Sequence, residues 1–203
     1  IDITESGKVK VKGSRIKSGQ TCIKKEGFEV IECLDSEIEG ENGIVIEEGV
    51  GNRLEGVKVK SEINGIQIKS ESGAELKDIE IESGQIGLIM CGDEVRKVSG
   101  IKIKAAEALD VDSGMAEVEG SEIEGGVKVK GFDRIRIKGG RVGAVDSCGL
   151  SLIEVEGSGI AGEEVRVRES GEIRIIGSEG EIESGIDITE SGKVKVKGSR
   201  IKS

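Results

Sequence analysis

The stretch that decides the fold is residues 1–18, IDITESGKVKVKGSRIKS, which recurs unchanged as residues 186–203. Within it, apolar and polar residues alternate over two short runs separated by a glycine turn, and an isolated isoleucine closes the unit. Such alternation is typical of strands that turn one face toward a core. Degenerate copies of the unit follow one another through the chain at intervals of roughly 20 residues, a period that indicates a repeat architecture.

The repeat predicts an all-β fold, a single-stranded right-handed parallel β-helix (β-solenoid) of about ten coils of roughly 20 residues. Three short strands per coil are expected, as at Ile1/Ile3, Val9 and Ile16 in the first coil. A left-handed helix is disfavoured because its hexapeptide spacing is absent. Residues 1–203 are expected to form one domain in which the coil at residues 1–18 is duplicated at residues 186–203.

Charged residues alternate in sign from coil to coil on the outer side of the predicted second strand. In a parallel stack such neighbours lie about 4.8 Å apart, so opposite signs form ion pairs. The alternation fails once, between Arg174 and Lys195. The predicted positions are Lys10/Lys12, Glu32, Lys58/Lys60, Glu80/Glu82, Lys102/Lys104, Glu117/Glu119, Arg136/Lys138, Glu154/Glu156, Arg174 and Lys195/Lys197.

The composition excludes several classes of function. The 203 residues include 33 Gly but no Pro, His, Trp or Tyr, and the net charge is -10. Without histidine there is no Ser-His-Asp or Cys-His site and no usual nitrogen ligand for zinc or haem iron. An acidic chain with almost no aromatic residues is a poor nucleic-acid binder. No signal peptide or transmembrane segment is recognised, so no membrane partner is expected and the compartment is not indicated.

Neither a cofactor nor a metal is predicted. The cysteines Cys22, Cys33, Cys91 and Cys148 are too few for a disulfide framework and are interpreted as small core residues. Two acidic pairs, Asp110/Asp112 and Asp93/Glu94, could be offered as calcium ligands. The first pair is more simply explained by the charge alternation, since Lys128/Lys130 follow one coil later.

Three motifs in the first ninety residues resemble the polygalacturonases of glycoside hydrolase family 28. Residues 1–23, IDITESGKVKVKGSRIKSGQTCI, are similar to that family's run from "FDI" to "QDDCI", with Cys22 at the motif's cysteine. Residues 41–46, ENGIVI, resemble "GHGISI", and residues 64–69, NGIQIK, resemble "NGVRIK". The resemblance implies a pectin-lyase-like right-handed β-helix and an inverting hydrolase in which aspartates act as acid and base.

The chain departs from that family where its chemistry resides. Gln20 and Thr21 stand in place of the paired aspartates, Asn42 replaces the motif histidine and Gln67 the substrate-binding arginine, while Lys69 is kept. An amide and a hydroxyl cannot exchange a proton at neutral pH as a tuned carboxyl does. These positions therefore predict a degenerate active face without catalytic residues.

The duplication, the missing residue types and the charge order favour an engineered structural scaffold that needs no partner. One alternative is a divergent pectin-active hydrolase with acids elsewhere, such as Asp2, Glu26 or Asp35. Another is a self-assembling or protein-binding solenoid that uses an outward face at Val45, Gln67 and Ile89, or its open ends. End-to-end association is expected to be weak, because stacked identical coils would oppose like charges.

Overall fold

The computed structural model describes the backbone of most of the chain, and its side chains chiefly up to Lys128. The described residues are 1–4, 7–28, 30–49, 51–69, 74–92, 95–112, 115–130, 134–142, 145–148, 152–157, 159–162, 165–168, 172–176, 179–182, 186–189, 193–197 and 200–202. Every regular element in these ranges is a β-strand. The described chain accordingly has no helix long and apolar enough to cross a membrane.

Most strands are short, and the longer ones continue around a corner of the coil. In chain order they are β1 (Asp2–Ile3), β2 (Val9–Lys12), β3 (Arg15–Lys17), β4 (Thr21–Lys25), β5 (Ile31–Leu34), β6 (Glu37–Ile46), β7 (Asn52–Glu55), β8 (Lys58–Ile68), β9 (Ala74–Lys77), β10 (Glu80–Ser83), β11 (Ile86–Cys91), β12 (Val95–Ser99), β13 (Lys102–Asp112), β14 (Met115–Lys130), β15 (Arg134–Val142), β16 (Val145–Cys148), β17 (Leu152–Glu156), β18 (Gly159–Gly162), β19 (Val165–Arg168), β20 (Glu172–Ile176), β21 (Glu179–Ile182), β22 (Ile186–Thr189), β23 (Lys193–Lys197) and β24 (Arg200–Lys202).

All recorded strand pairings are parallel, and they form three ladders. The first ladder begins with β1, β4 and the end of β6. The second begins with β2, β5 and β7, and the third with β3 and the starts of β6 and β8. Because each strand pairs with its counterpart one turn later in sequence, the chain winds as a parallel β-solenoid, as predicted.

The first ladder defines the length of a turn. Asp2 pairs with Lys24, Val45 with Gln67, and Gln67 with Ile89. From residue 2 to residue 110 the structure thus has about five turns of about 22 residues, whereas the sequence predicted about ten coils of roughly 20 for the whole chain. The predicted length was too short because it averaged these turns with closer repeats later in the sequence, where Val127 pairs with Val145 and Val145 with Val165.

The core consists of inward rows of mostly aliphatic side chains, with at least one row on each ladder. In the first ladder Ile44, Ile66, Leu88 and Leu109 follow one another in register and are fully buried. Corresponding rows are Leu54, Leu76, Val98 and Val118 in the second ladder, and Ile38, Val59, Ile81, Ile103 and Ile123 in the third. Alternating residues turn outward, as expected for strands with one buried face.

The residues that the sequence predicted for one row of second strands lie on two different ladders. Lys58/Lys60, Glu80/Glu82 and Lys102/Lys104 lie on the third ladder, next to Glu37/Glu39 and Glu122/Glu124. The second ladder instead runs through Lys10, Glu32, Arg53, Glu75, Lys97, Glu117, Arg136, Glu154, Arg174 and Lys195. The sign therefore alternates on both ladders, and the Arg174–Lys195 exception is confirmed.

Candidate functional site

The positions that resemble polygalacturonase motifs are brought together at the start of the first-ladder strands. Thr21 pairs with Asn42, and Asn42 pairs with Asn64 one turn further on. The Asn64 side-chain amide donates to Oδ1 of Asn42 at 3.0 Å. Gln20 lies beside this row and is exposed. The row can exchange hydrogen bonds but contains no group that titrates near neutral pH.

Gln67 and Lys69 project from the next positions of the same ladder. Gln67 lies between Val45 and Ile89, whereas the Lys69 ammonium contacts Oε1 of Glu47 at 2.6 Å. This contact lowers the pKa of Glu47, more than burial of the carboxyl raises it. Lys69, which matches the lysine of the quoted motif, therefore contacts a carboxylate of the same chain.

The proposed association face is one continuous row. Val45, Gln67 and Ile89 are register neighbours, continued by Asp2 and Lys24 on one side and by Asp110 and Lys128 on the other. Val45 is only 8% exposed, and Gln67 and Ile89 are half-buried. The row offers little apolar surface to a partner.

The alternative acids Asp2, Glu26 and Asp35 do not form one group. Asp2 is the register partner of Lys24, and the Lys24 ammonium forms an ion pair with Glu26. Asp35 lies at the turn between β5 and β6, with a positive φ of 48°. This turn separates the second ladder from the third, whereas the other two carboxyls belong to the first ladder.

A concavity lies on the outer face of the third ladder. It encloses about 680 Å³, and the strands at Ile38, Val59, Ile81 and Ile103 form its floor. Two parallel rows of charged side chains form its walls. These rows are Arg15, Glu37, Lys58, Glu80, Lys102 and Glu122 on one side, and Glu39, Lys60, Glu82, Lys104 and Glu124 on the other.

Opposite charges on neighbouring turns pair along these walls. The ammonium of Lys17 lies 2.7 Å from Oε1 of Glu39, just beyond the groove, and that of Lys58 lies 2.9 Å from Oε2 of Glu80. The lysine hydrogen bonds lower the pKa of Glu39 and of Glu80. Lysine hydrogen bonds also lower the pKa of Glu32 and Glu55 on the second ladder, and a hydrogen bond from Arg136 lowers that of Glu154.

A buried lysine is the feature that sequence reasoning missed. Lys25 takes a core position between Ile3 and Ile46 and is 0% exposed. Its ammonium donates to the backbone carbonyls of Gly27 and Glu48. Its place in the alternating pattern was a signal, because the residue two positions earlier, Ile23, is also inward.

Cysteine and acidic residues occupy different environments. Cys22 and Cys33 are free and fully buried, as predicted, and burial raises the pKa of Cys33 to about 11. Cys91 is half-buried, and the side chain of Cys148 lies outside the described part.

The acidic pair Asp110 and Asp112 is adjacent in register to Lys128 and Lys130, and the described residues hold no group of three or more potential metal ligands. Asp93/Glu94 lie outside the described residues.

Comparison with models of known protein families and with curated proteins gives no match. The resemblance to polygalacturonases therefore stands on the quoted motifs alone.

Proposed function

We propose that this chain is an engineered structural scaffold, a right-handed parallel β-helix of ten coils with no catalytic activity. The observation that carries this proposal is the use of its charged groups: carboxylates on the outer rows are paired with cations of neighbouring turns. A general acid in glycoside hydrolysis needs a raised pKa. The carboxyls with a resolved shift, such as Glu47 and Glu80, have lowered values instead.

The strand pairings support the count of ten. After β13, the first ladder continues through the end of β14 and through β16, β19 and β22. The second continues through β14, β15, β17, β20 and β23, and the third ends in β18, β21 and β24. The right-handed sense follows the strong general preference of parallel crossovers.

The order of the charges supports an engineered origin. On the second ladder the sign changes at every step from Lys10 to Arg174, and it fails only where the repeated terminal coil contributes Lys195. Appending a copy of the first coil to an odd number of coils produces this single exception. Each exposed pair stabilises by only about 0.2–1 kcal/mol, so selection on single pairs is a weak explanation for the complete order.

The Thr21–Asn42–Asn64 row supports the absence of catalysis. Inverting glycosidases hold two carboxyl groups about 6.5–9.5 Å apart around the bond they cleave. Here the positions that match the paired aspartates carry the Gln20 amide and the Thr21 hydroxyl, and beside them the Asn64 amide donates to Asn42. The alternative of a protein-binding face at Val45, Gln67 and Ile89 has less support because Val45 is almost completely covered.

The test is reducing-end release from polygalacturonate during a long incubation. The parent chain is compared with the variant Gln20→Asp, Thr21→Asp, Asn42→His and Gln67→Arg, whose folding is checked by circular dichroism. We expect no product from the parent. Turnover by the parent would contradict the proposal and would direct attention to Asp2, Glu26 and Asp35. Activity in the variant alone would support a polygalacturonase-like backbone.

A further inference from the structure

The second coil (residues 19–40) provides a complete seat for the N-terminal coil (residues 1–18). Backbone hydrogen bonds join the two coils: the amides of Lys24, Glu26, Glu37, Val9, Gly13 and Ser18 donate to the carbonyls of Ile1 (2.8 Å), Ile3 (2.9 Å), Ser14 (2.8 Å), Val30 (2.9 Å), Leu34 (3.1 Å) and Glu39 (3.0 Å), respectively. All three ladders contribute to this interface.

Charge complementarity fixes which sequence fits this seat. The Glu32 carboxylate forms ion pairs with two lysines of the N-terminal coil, with Oε1 2.6 Å from Nζ of Lys8 and Oε2 3.6 Å from Nζ of Lys10. On the third ladder the Arg15 guanidinium donates to Glu37 at 2.7 Å, and Lys17 donates to Glu39 at 2.7 Å. Asp2 faces Lys24 on the first ladder. The seat therefore favours a coil that is acidic on the first ladder and basic on the other two.

The C-terminal coil (residues 186–203) carries the same sequence, and its described strands are paired along one edge only. Its strands β22, β23 and β24 pair with β19, β20 and β21 of the preceding coil. In the described part of the chain no strand pairs with their other edge. That open edge corresponds to the edge by which the N-terminal coil binds the second coil.

Direct stacking of two molecules end to end is opposed on every ladder. It would place Lys195 against Lys10, Arg200 against Arg15 and Asp187 against Asp2, since the two coils are identical. Like charges directly opposite each other destabilise a strand pair. If the N-terminal coil leaves, the same C-terminal coil meets Glu32, Glu37 and Lys24, and each contact becomes attractive.

We propose that the second coil is a docking site for the C-terminal coil of a second copy of this chain, with the N-terminal coil as its intramolecular competitor. Displacement of residues 1–18 then joins two molecules head to tail in a continuous solenoid. The parent chain stays monomeric because its own N-terminal coil is tethered next to the seat and has a high effective concentration there. This inference does not depend on the absence of catalysis.

The test destabilises the packing of the N-terminal copy of the duplicated coil, residues 1–18, within the full chain. Ile3→Asp with Ile16→Asp places charges at inward positions of the N-terminal coil and leaves its outer charges unchanged. Hydrogen exchange of residues 1–18 reports that the coil has left. We expect concentration-dependent dimers and longer oligomers by light scattering at low ionic strength, where charge pairs are least screened.

The duplication supplies the matched control. Ile188→Asp with Ile201→Asp makes the same changes in the C-terminal copy, and this variant should remain monomeric because the seat stays occupied. The variant with all four substitutions exposes the second coil but also disrupts the C-terminal coil that would dock on it. This variant should therefore not assemble. A synthetic peptide of residues 1–18 should return the oligomers to monomers by filling the seat.

Three results would overturn the proposal. The first is a monomeric Ile3→Asp/Ile16→Asp chain whose N-terminal coil exchanges freely. The second is equal assembly of the variant with all four substitutions, which indicates non-specific adhesion. The third is an excess of peptide that leaves the oligomers intact. If the N-terminal coil of the double variant stays protected, adding Val9→Pro removes the amide that donates to Val30 and repeats the test.

Discussion

At the scale of single residues, Lys25 shows how this solenoid accommodates a charge in its core. Its aliphatic stem continues the inward row between Ile3 and Ile46, and its ammonium reaches backbone carbonyls of two turns. Burial of an ammonium is costly unless hydrogen bonds compensate it. Gly27 and Glu48 supply these bonds from the turns that follow β4 and β6.

Substitutions at Lys25 should separate packing from hydrogen bonding. Lys25→Ala leaves a cavity and removes the hydrogen-bond donor. Lys25→Met removes only the donor, and water can reach the turns that carry the two acceptor carbonyls. We expect the alanine variant to lose about 2 kcal/mol more of the free energy of unfolding than the methionine variant, as for other large-to-small core changes. Urea unfolding of both variants measures the difference, and equal losses would contradict the packing role.

The sequence predicted residues of the first ladder well and those of the other two less well. Val45, Gln67 and Ile89 were placed in one row from alternation alone, and the structure pairs them so. Residues 57–60, however, read VKVK and so repeat the sequence of Val9–Lys12, although the first stretch lies on the third ladder and the second on the second ladder. Local pattern reveals which side of a strand is inward but not which ladder it joins, because that depends on turn lengths elsewhere in the coil.

At the scale of elements, glycines allow the coils to stack closely where the third ladder passes into the first. Gly43, Gly65 and Gly87 lie one above another at this corner. A Cβ atom on Gly65 would overlap the Gly87 carbonyl oxygen and Cγ2 of Ile81. The corner therefore restricts side-chain size, which alternation of apolar and polar residues does not predict.

Gly65→Ala should consequently destabilise the fold. The backbone of the next coil cannot yield as the end of a flexible side chain can, so we expect a loss of about 1–3 kcal/mol, as in other overpacked sites. Gly19→Ala is the control, because no heavy atom lies within 4 Å of a Cβ there. Thermal unfolding of the two variants compares them, and a Gly65→Ala chain as stable as Gly19→Ala would refute the packing argument.

At the scale of the whole molecule, the charge rows couple stability to pH. Hydrogen bonds from lysine or arginine lower the pKa of Glu32, Glu39, Glu47, Glu80 and Glu154 below the ordinary value of 4.5. A lowered carboxyl pKa in the folded state adds stability above the unfolded value, and this stability is lost as pH falls through the folded value. The rows thus stabilise the fold at neutral pH and fail in acid.

Thermal unfolding at low salt should show this dependence. We expect the Tm to be nearly constant from about pH 7 to 5 and to fall steadily below the ordinary glutamate pKa. At the alkaline end, ion pairing with Glu26 and Glu80 raises the pKa of Lys24 and of Lys58, so their contribution is lost only as pH rises through those raised values. A Tm that is equal or higher near pH 3 would contradict a stabilising role of the rows.

The sequence predicted the candidate site only as a set of positions at which the catalytic residues of the similar motifs are replaced. The motif positions Thr21, Asn42 and Gln67 were located from the sequence, and the structure gathers the first two with Asn64. The groove on the third ladder was not predicted, because its walls were assigned to the wrong ladder. The pairing of its charges across neighbouring turns was predictable, because the sign alternates from coil to coil along the sequence.

We infer that opposite charges on neighbouring coils hold the solenoid in register, and the duplicated coil allows this to be tested. Lys10 and Lys195 occupy the same place in identical sequences, but Lys10 faces Glu32 and Lys195 faces Arg174. The measurement is the protection of β2 and β23 amides against hydrogen exchange in Lys10→Glu and Lys195→Glu at low salt. We expect Lys10→Glu to lower the protection of β2 and Lys195→Glu to raise the protection of β23. Changes of the same sign in both variants, or changes that high salt does not diminish, would contradict this inference.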